Sequence, residues 1–169
     1  MKKLMIFTVS ILIMSCSNDQ NLEENNFNLD VSVDFTLLNA NGEDLLNPKT
    51  LGYFPYAGMQ LYYEINGKKI AVQDFDPQAG GNNGIMLITE TLPYRLRCFT
   101  YNHGDEGLIK NENGIKTGLS IAYLKLNGEV TDTIKTEWES KEDKYFINTK
   151  VWYNDVLQES AHKVFSVVK

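Results

Sequence analysis

Phe27, Leu29, Val31, Val33, Phe35 and Leu37 alternate with Asn28, Asp30, Ser32, Asp34 and Thr36. Period two places one side-chain set in a core and the other in water, so this pattern predicts a strand over residues 27–37 with all six apolar side chains inward. Asn39-Ala40-Asn41-Gly42-Glu43-Asp44 is a turn cluster, and Pro48 blocks continuation. Met59, Leu61, Tyr63 and Ile65 alternate again up to Asn66-Gly67, and residues 68–72 return with Ile70 and Val72. Asn-Gly between two such runs predicts a type I′ hairpin, whose two central residues both need positive φ. Asn127-Gly128 repeats the device between residues 119–126 and 130–138, where Val130, Ile134 and Trp138 share a phase. Asn154-Asp155 marks a third hairpin, between residues 145–153 and Val156-Leu157. Further strands are predicted over residues 85–89, 94–100 and 163–168.

Beyond the N-terminal segment, no stretch of about a dozen residues holds a 3.6-residue period. The expected fold is therefore all-β. An antiparallel β-sandwich of immunoglobulin-like or related topology, with about nine strands, fits the short strands and regular turns. A closed barrel is the alternative, disfavoured by the uneven strand lengths. Residues 27–169 form one predicted domain.

The N-terminus has a different character. Met1-Lys2-Lys3 is positive, and residues 4–14 are apolar except for Thr8 and Ser10. Ile13-Met14-Ser15-Cys16 closes the segment. This is the layout of a secretory signal; at about 11 residues the apolar part falls short of the roughly 20 that span a bilayer. The ending resembles the lipobox of bacterial lipoproteins: aliphatic Ile13, small Ser15, then the cysteine, with Met14 a departure from the usual small residue. The resemblance implies a signal peptide over residues 1–15, cleavage after Ser15, and a lipid-modified Cys16. Attachment by several acyl chains meets the need for more than one membrane signal. Ser17, where an inner-membrane retention signal carries Asp, implies the outer membrane, on either its periplasmic or its surface face. Residues 16–26 are polar and acidic and are expected to be a flexible tether.

Charge removes one class of partner. The chain carries 16 basic and 22 acidic residues, a net charge of −6, and loss of Lys2 and Lys3 makes it more acidic still. Such a surface repels phosphate backbones, so no nucleic-acid partner is expected. Of the two cysteines, Cys16 is assigned to lipid, so Cys98 lacks an internal disulfide partner. Cys98 is in phase with Tyr94 and Leu96 and is predicted to be a small buried hydrophobe.

Candidate chemistry is sparse. The Gly-rich loop of residues 73–84 offers Asp74 and Asp76, oxygen donors of the type calcium takes. Pro77 and Ala79 break the EF-hand spacing, so the loop is read as a connection. His103 stands beside Asp105 and Glu106, with His162 remote in sequence; zinc would want three or four ligands at set spacing. No metal, cofactor or catalytic constellation is expected. Tyr53, Phe54 and Tyr56, in a loop between Gly52 and Gly58, are candidate binding residues, since an apolar ring with a polar tip suits recognition surfaces. The bland reading has them cap the core. Tyr62 and Trp152 fall on the polar phases of their strands.

The signal, the acidic tether, and an opening strand running through Asp34-Phe35-Thr36-Leu37-Leu38 into Asn41-Gly42-Glu43-Asp44-Leu45-Leu46 resemble the small β-sandwich lipoproteins of gut-dwelling Gram-negative bacteria. That family has no assigned reaction, so the likeness implies location and fold alone. The expected function is a membrane-anchored, non-enzymatic binding or accessory module of the cell envelope with a glycan or protein partner. The alternatives are a fimbrial-type subunit assembling by strand addition and an envelope hydrolase, for which His103 with Asp105 would be the starting point.

Overall fold

In a computed structural model of the chain, residues 27–72, 83–100, 107–142, 144–162 and 164–169 are described. Cys16, Asp74, Asp76, His103 and Asp105 lie outside them. Twelve strands follow one another: β1 (Asn28–Asp30), β2 (Ser32–Leu38), β3 (Gln60–Ile65), β4 (Lys68–Ala71), β5 (Ile85–Ile88), β6 (Arg95–Phe99), β7 (Leu108–Glu112), β8 (Ile115–Asn127), β9 (Glu129–Lys141), β10 (Tyr145–Tyr153), β11 (Val156–Leu157) and β12 (Phe165–Val168). The larger sheet runs β1-β10-β9-β8-β3-β4, with β11 also on β10 and β7 also on β8. The smaller runs β12-β2-β6-β5. The two sheets pack face to face as a β-sandwich, and neither closes into a barrel.

Between the sheets lie Phe35, Leu37, Leu61, Tyr63, Ile85, Leu96, Cys98, Leu124, Ile134 and Val151, all essentially without solvent contact. Phe35 of the smaller sheet meets Tyr153 of the larger edge-on at 5.2 Å. Burying aromatic pairs in this geometry adds about 0.5–1.5 kcal/mol beyond area. Cys98 is fully buried, as its phase predicts, and burial pushes its thiol pKa well above the usual range. A smaller cluster of Val31, Trp138 and Phe146 packs separately. There Trp138 lies over Gly118, where an added Cβ would sit 2.3 Å from the indole.

Three expectations need correction. The first predicted strand is two: the chain changes sheets at Val31, so β1 joins the larger sheet and β2 the smaller. Phe27 and Leu29 are consequently 49% and 62% exposed, whereas Val31, Val33, Phe35 and Leu37 are buried. The switch costs no orphaned carbonyl, since Thr100 donates both its backbone N–H and its hydroxyl to Val31 O at 3.1 Å. Asn148, buried beside them, donates to the Thr100 hydroxyl at 3.2 Å. Antiparallel pairing dominates, as expected, with β1 parallel to β10 and β12 parallel to β2 as the exceptions. Among the described residues the strands number twelve rather than about nine; the unforeseen hairpin is β7–β8, turned by Asn113-Gly114 with both φ positive. Finally, Asn66-Gly67 and Asn154-Asp155 take positive φ at both residues, but at Asn127-Gly128 only Gly128 does. Asn127 pairs with Glu129 inside the ladder, which shifts register twice on the way to the turn, first with an extra residue on β9 and then with one on β8. Ile134 and Trp138 are buried in phase as predicted; the side chain of Val130 lies outside the described set.

Candidate functional site

On the polar side of the smaller sheet, alternation exposes Ser32 and Asp34 from β2 and Arg95 and Arg97 from β6. Antiparallel pairing sets Asp34 directly opposite Arg97. The guanidinium fork closes on the carboxylate, Nε to Oδ1 and Nη2 to Oδ2, each at 2.8 Å. That bidentate geometry is the strong form of the contact. It raises the Arg97 pKa, chiefly through the hydrogen bonds to Asp34 and against the opposing effect of burial. Arg95 reaches the same carboxylate only at 4.0 Å. Its side chain remains one-third exposed.

A second pair closes the site. Residues 161–162 turn just ahead of β12. Ala161 is buried in the main core, which fixes the segment, and the His162 backbone N–H donates to the Ser160 hydroxyl at 3.2 Å. His162 Nδ1 lies 2.7 Å from Asp30 Oδ2, at the end of β1. A carboxylate only accepts, so this contact places a proton on Nδ1 and turns Nε2 away from Asp30. His162 is 46% exposed. Together Asp30, Ser32, Asp34, Arg95, Arg97, Ala161, His162 and Val164 line a cleft of about 250 Å³. Its formal charge is balanced, two acids against two arginines, with His162 as a further cation when protonated.

Nothing local in the sequence marks this site. Asp30, Ser32 and Asp34 appeared as the wet face of a strand, and Arg95 and Arg97 as the residues flanking Leu96. Two alternating acids and two alternating arginines were the available signal, but the pairing of β2 with β6 joins residues 63 apart. His162 was set aside as remote from His103, yet its partner is Asp30, 132 residues away.

The aromatic candidates divide. Phe54 and Tyr56 are half-buried against the main core, and the Tyr56 hydroxyl donates to Ile85 O at 2.7 Å. Tyr53 is 39% exposed. Tyr62 and Trp152 stand half-exposed on the outer face of the larger sheet. There Tyr62 neighbours Tyr123, and Lys135 lies over the Trp152 ring at 5.1 Å. Tyr123 donates a short hydrogen bond to Glu64, which lifts its pKa to about 12, and Lys69 sits 3.7 Å from its ring centre.

No protein-family model, curated protein or solved structure matches the chain. Among the described residues no helix is long and apolar enough to cross a membrane, which says nothing of strands.

Proposed function

We propose that the chain is a lipid-anchored module of the bacterial cell envelope, moored through Cys16, that acts by binding rather than by catalysis. The observation that carries the binding part is the cleft between β2, β6 and the segment before β12. Asp30, Asp34, Arg95 and Arg97 stand on strands, and each carboxylate already has a partner, Asp34 in Arg97 and Asp30 in His162. Asp34, with both oxygens held by Arg97, is placed to fix guanidinium groups and poorly placed to move protons. Rigid mounting of donors suits recognition, because little ordering entropy is lost on binding.

Support for the anchor comes from the lipobox-like Ile13-Met14-Ser15-Cys16 and from the state of the other thiol. Cys98 is sealed in the core with a raised pKa, so it is a poor nucleophile and a poor target for acylation. The outer membrane is the proposed location, by the character of Ser17. Fractionation of cells making the wild-type chain and Cys16→Ala tests this: the wild type should sediment with membranes and the variant should not. Equal membrane recovery of both would refute the anchor.

A second reading, a subunit assembling by strand addition, draws on β12. Among the described residues it is an edge strand paired with β2 alone, so its outer edge offers unpaired backbone groups to another chain.

A further inference from the structure

We infer that the cleft recognises the carboxylate of a hydroxylated acid unit, such as an acidic monosaccharide within a glycan. This rests on the binding-module reading above and specifies its ligand class.

The argument begins with unequal use of the two arginines. Arg97 spends Nε and Nη2 on Asp34. Arg95 makes no contact with Asp34 closer than 4.0 Å, so its planar fork of N–H donors is spare while standing in a concave site. A spare guanidinium fork matches a carboxylate bidentately. The second donor is Arg97, two residues along β6 on the same face, whose Nη1 is not used by Asp34. Asp34 holds Arg97 in place, so this half of the receptor is ordered before the ligand arrives.

The rest of the lining suits hydroxyl groups. Ser32 donates and accepts, the outer lone pairs of Asp30 accept, and His162 presents Nε2. Among the described residues the apolar lining is Ala161, which is buried, and Val164. A peptide end would bring an apolar side chain with little to pack on, so the chemistry favours a polyhydroxylated ligand. Size agrees: about 250 Å³ lies below the roughly 300–1,000 Å³ of sites that enclose drug-sized ligands, as a pocket for one ring-sized unit should. Within a chain of net charge −6, a site that offers cationic donors is also where an anion meets least repulsion.

The test uses the full chain, labelled with nitrogen-15 and held in detergent, and follows the arginine side-chain N–H signals. Three probes are titrated at constant ionic strength: glucuronate, inorganic phosphate and glucose. Glucuronate should give saturable shifts with Kd of about 1 mM or tighter. Arg95→Gln should weaken it at least tenfold. Arg95→Lys should recover only part of the loss, since the charge returns without the fork. Arg95 lies outside the core and outside the Asp34–Arg97 pair, so the variants should retain wild-type melting. Tighter binding of phosphate than of glucuronate, through Arg95, would overturn the carboxylate assignment and leave a binding cleft. Saturable binding of glucose equal to that of glucuronate would overturn charge recognition and still leave a binding cleft. Silence with all three probes would overturn both the ligand class and the cleft as the binding site.

Discussion

Lys169 and Asp132 join the two sheets, and substituting Lys169 by Met isolates what that join contributes. Lys169 follows β12 in the smaller sheet, and its backbone N–H donates to Leu38 O at 2.8 Å. Its ammonium donates to Asp132 on β9 in the larger sheet, a carboxylate with 1% of its side chain exposed. Asn154 Nδ2 donates to the same oxygen at 2.8 Å. Met keeps most of the methylene packing and removes the charge. Removing one partner of a buried pair costs about 3–5 kcal/mol, because the other charge is left uncompensated. Lys169 is 22% exposed and Asn154 remains, so the lower end, about 3 kcal/mol, is expected. In a domain of this size that lowers Tm by about 6–12 °C. Melting of the full chain, followed by the fluorescence of buried Trp138, reads the shift. Adding Asp132→Asn to the Met variant removes the buried charge and should restore more than half of the loss. A Tm within about 2 °C of wild type, or a double variant no better than the single one, would refute this reasoning.

Three further outcomes follow from particular contacts. Gly118→Ala forces its Cβ into the Trp138 ring and should cost about 1–3 kcal/mol through overpacking, with a red shift of Trp138 emission in the native state; an unchanged melt would contradict the close approach. Tyr123, held at about 12 by Glu64 against about 10 when unfolded, contributes stability that is complete below pH 10 and lost as pH rises toward 12. Tyr145 and Tyr153 are raised as well, so the difference between absorbance titrations of wild type and Glu64→Gln isolates Tyr123: one phenol should ionise earlier in the variant, and a titration identical in both proteins would exclude the pair. Tyr56→Ala should lower Tm by several degrees through lost core packing and the lost bond to Ile85 O, whereas Tyr53→Ala, at an exposed ring, should shift it by less than about 1 °C; equal losses would mean that Tyr53 also caps the core.

Local features of this fold could be read from the chain, and long-range ones could not. The hairpin through Asn66-Gly67 was legible because strand phase and turn chemistry are both local: Met59, Leu61, Tyr63 and Ile65 are all buried, and the turn has the required φ values. Asn113-Gly114 carried the same signal, but residues 108–112 include Lys110, Asn111 and Glu112 and show no apolar alternation to flag an edge strand. Phe27 and Leu29 misled because alternation reports a pleated strand but not the sheet it joins, and the change of sheet at Val31 leaves the period unbroken. The cleft was hidden for a related reason. Asp34 with Arg97, and Asp30 with His162, are encounters of strands and turns far apart in sequence, and a charge on the wet face of a strand gives no hint of its partner.

Lipid at Cys16 is proposed to moor a module with a preformed cleft to the envelope. Intact and peptide mass spectrometry of the chain recovered from cell membranes tests it most directly. The account predicts an N-terminal peptide beginning at Cys16, carrying a diacylglyceryl group and an amide-linked acyl chain, with residues 1–15 gone. A peptide that retains Met1 to Ser15, or begins at an unmodified Cys16, would contradict it.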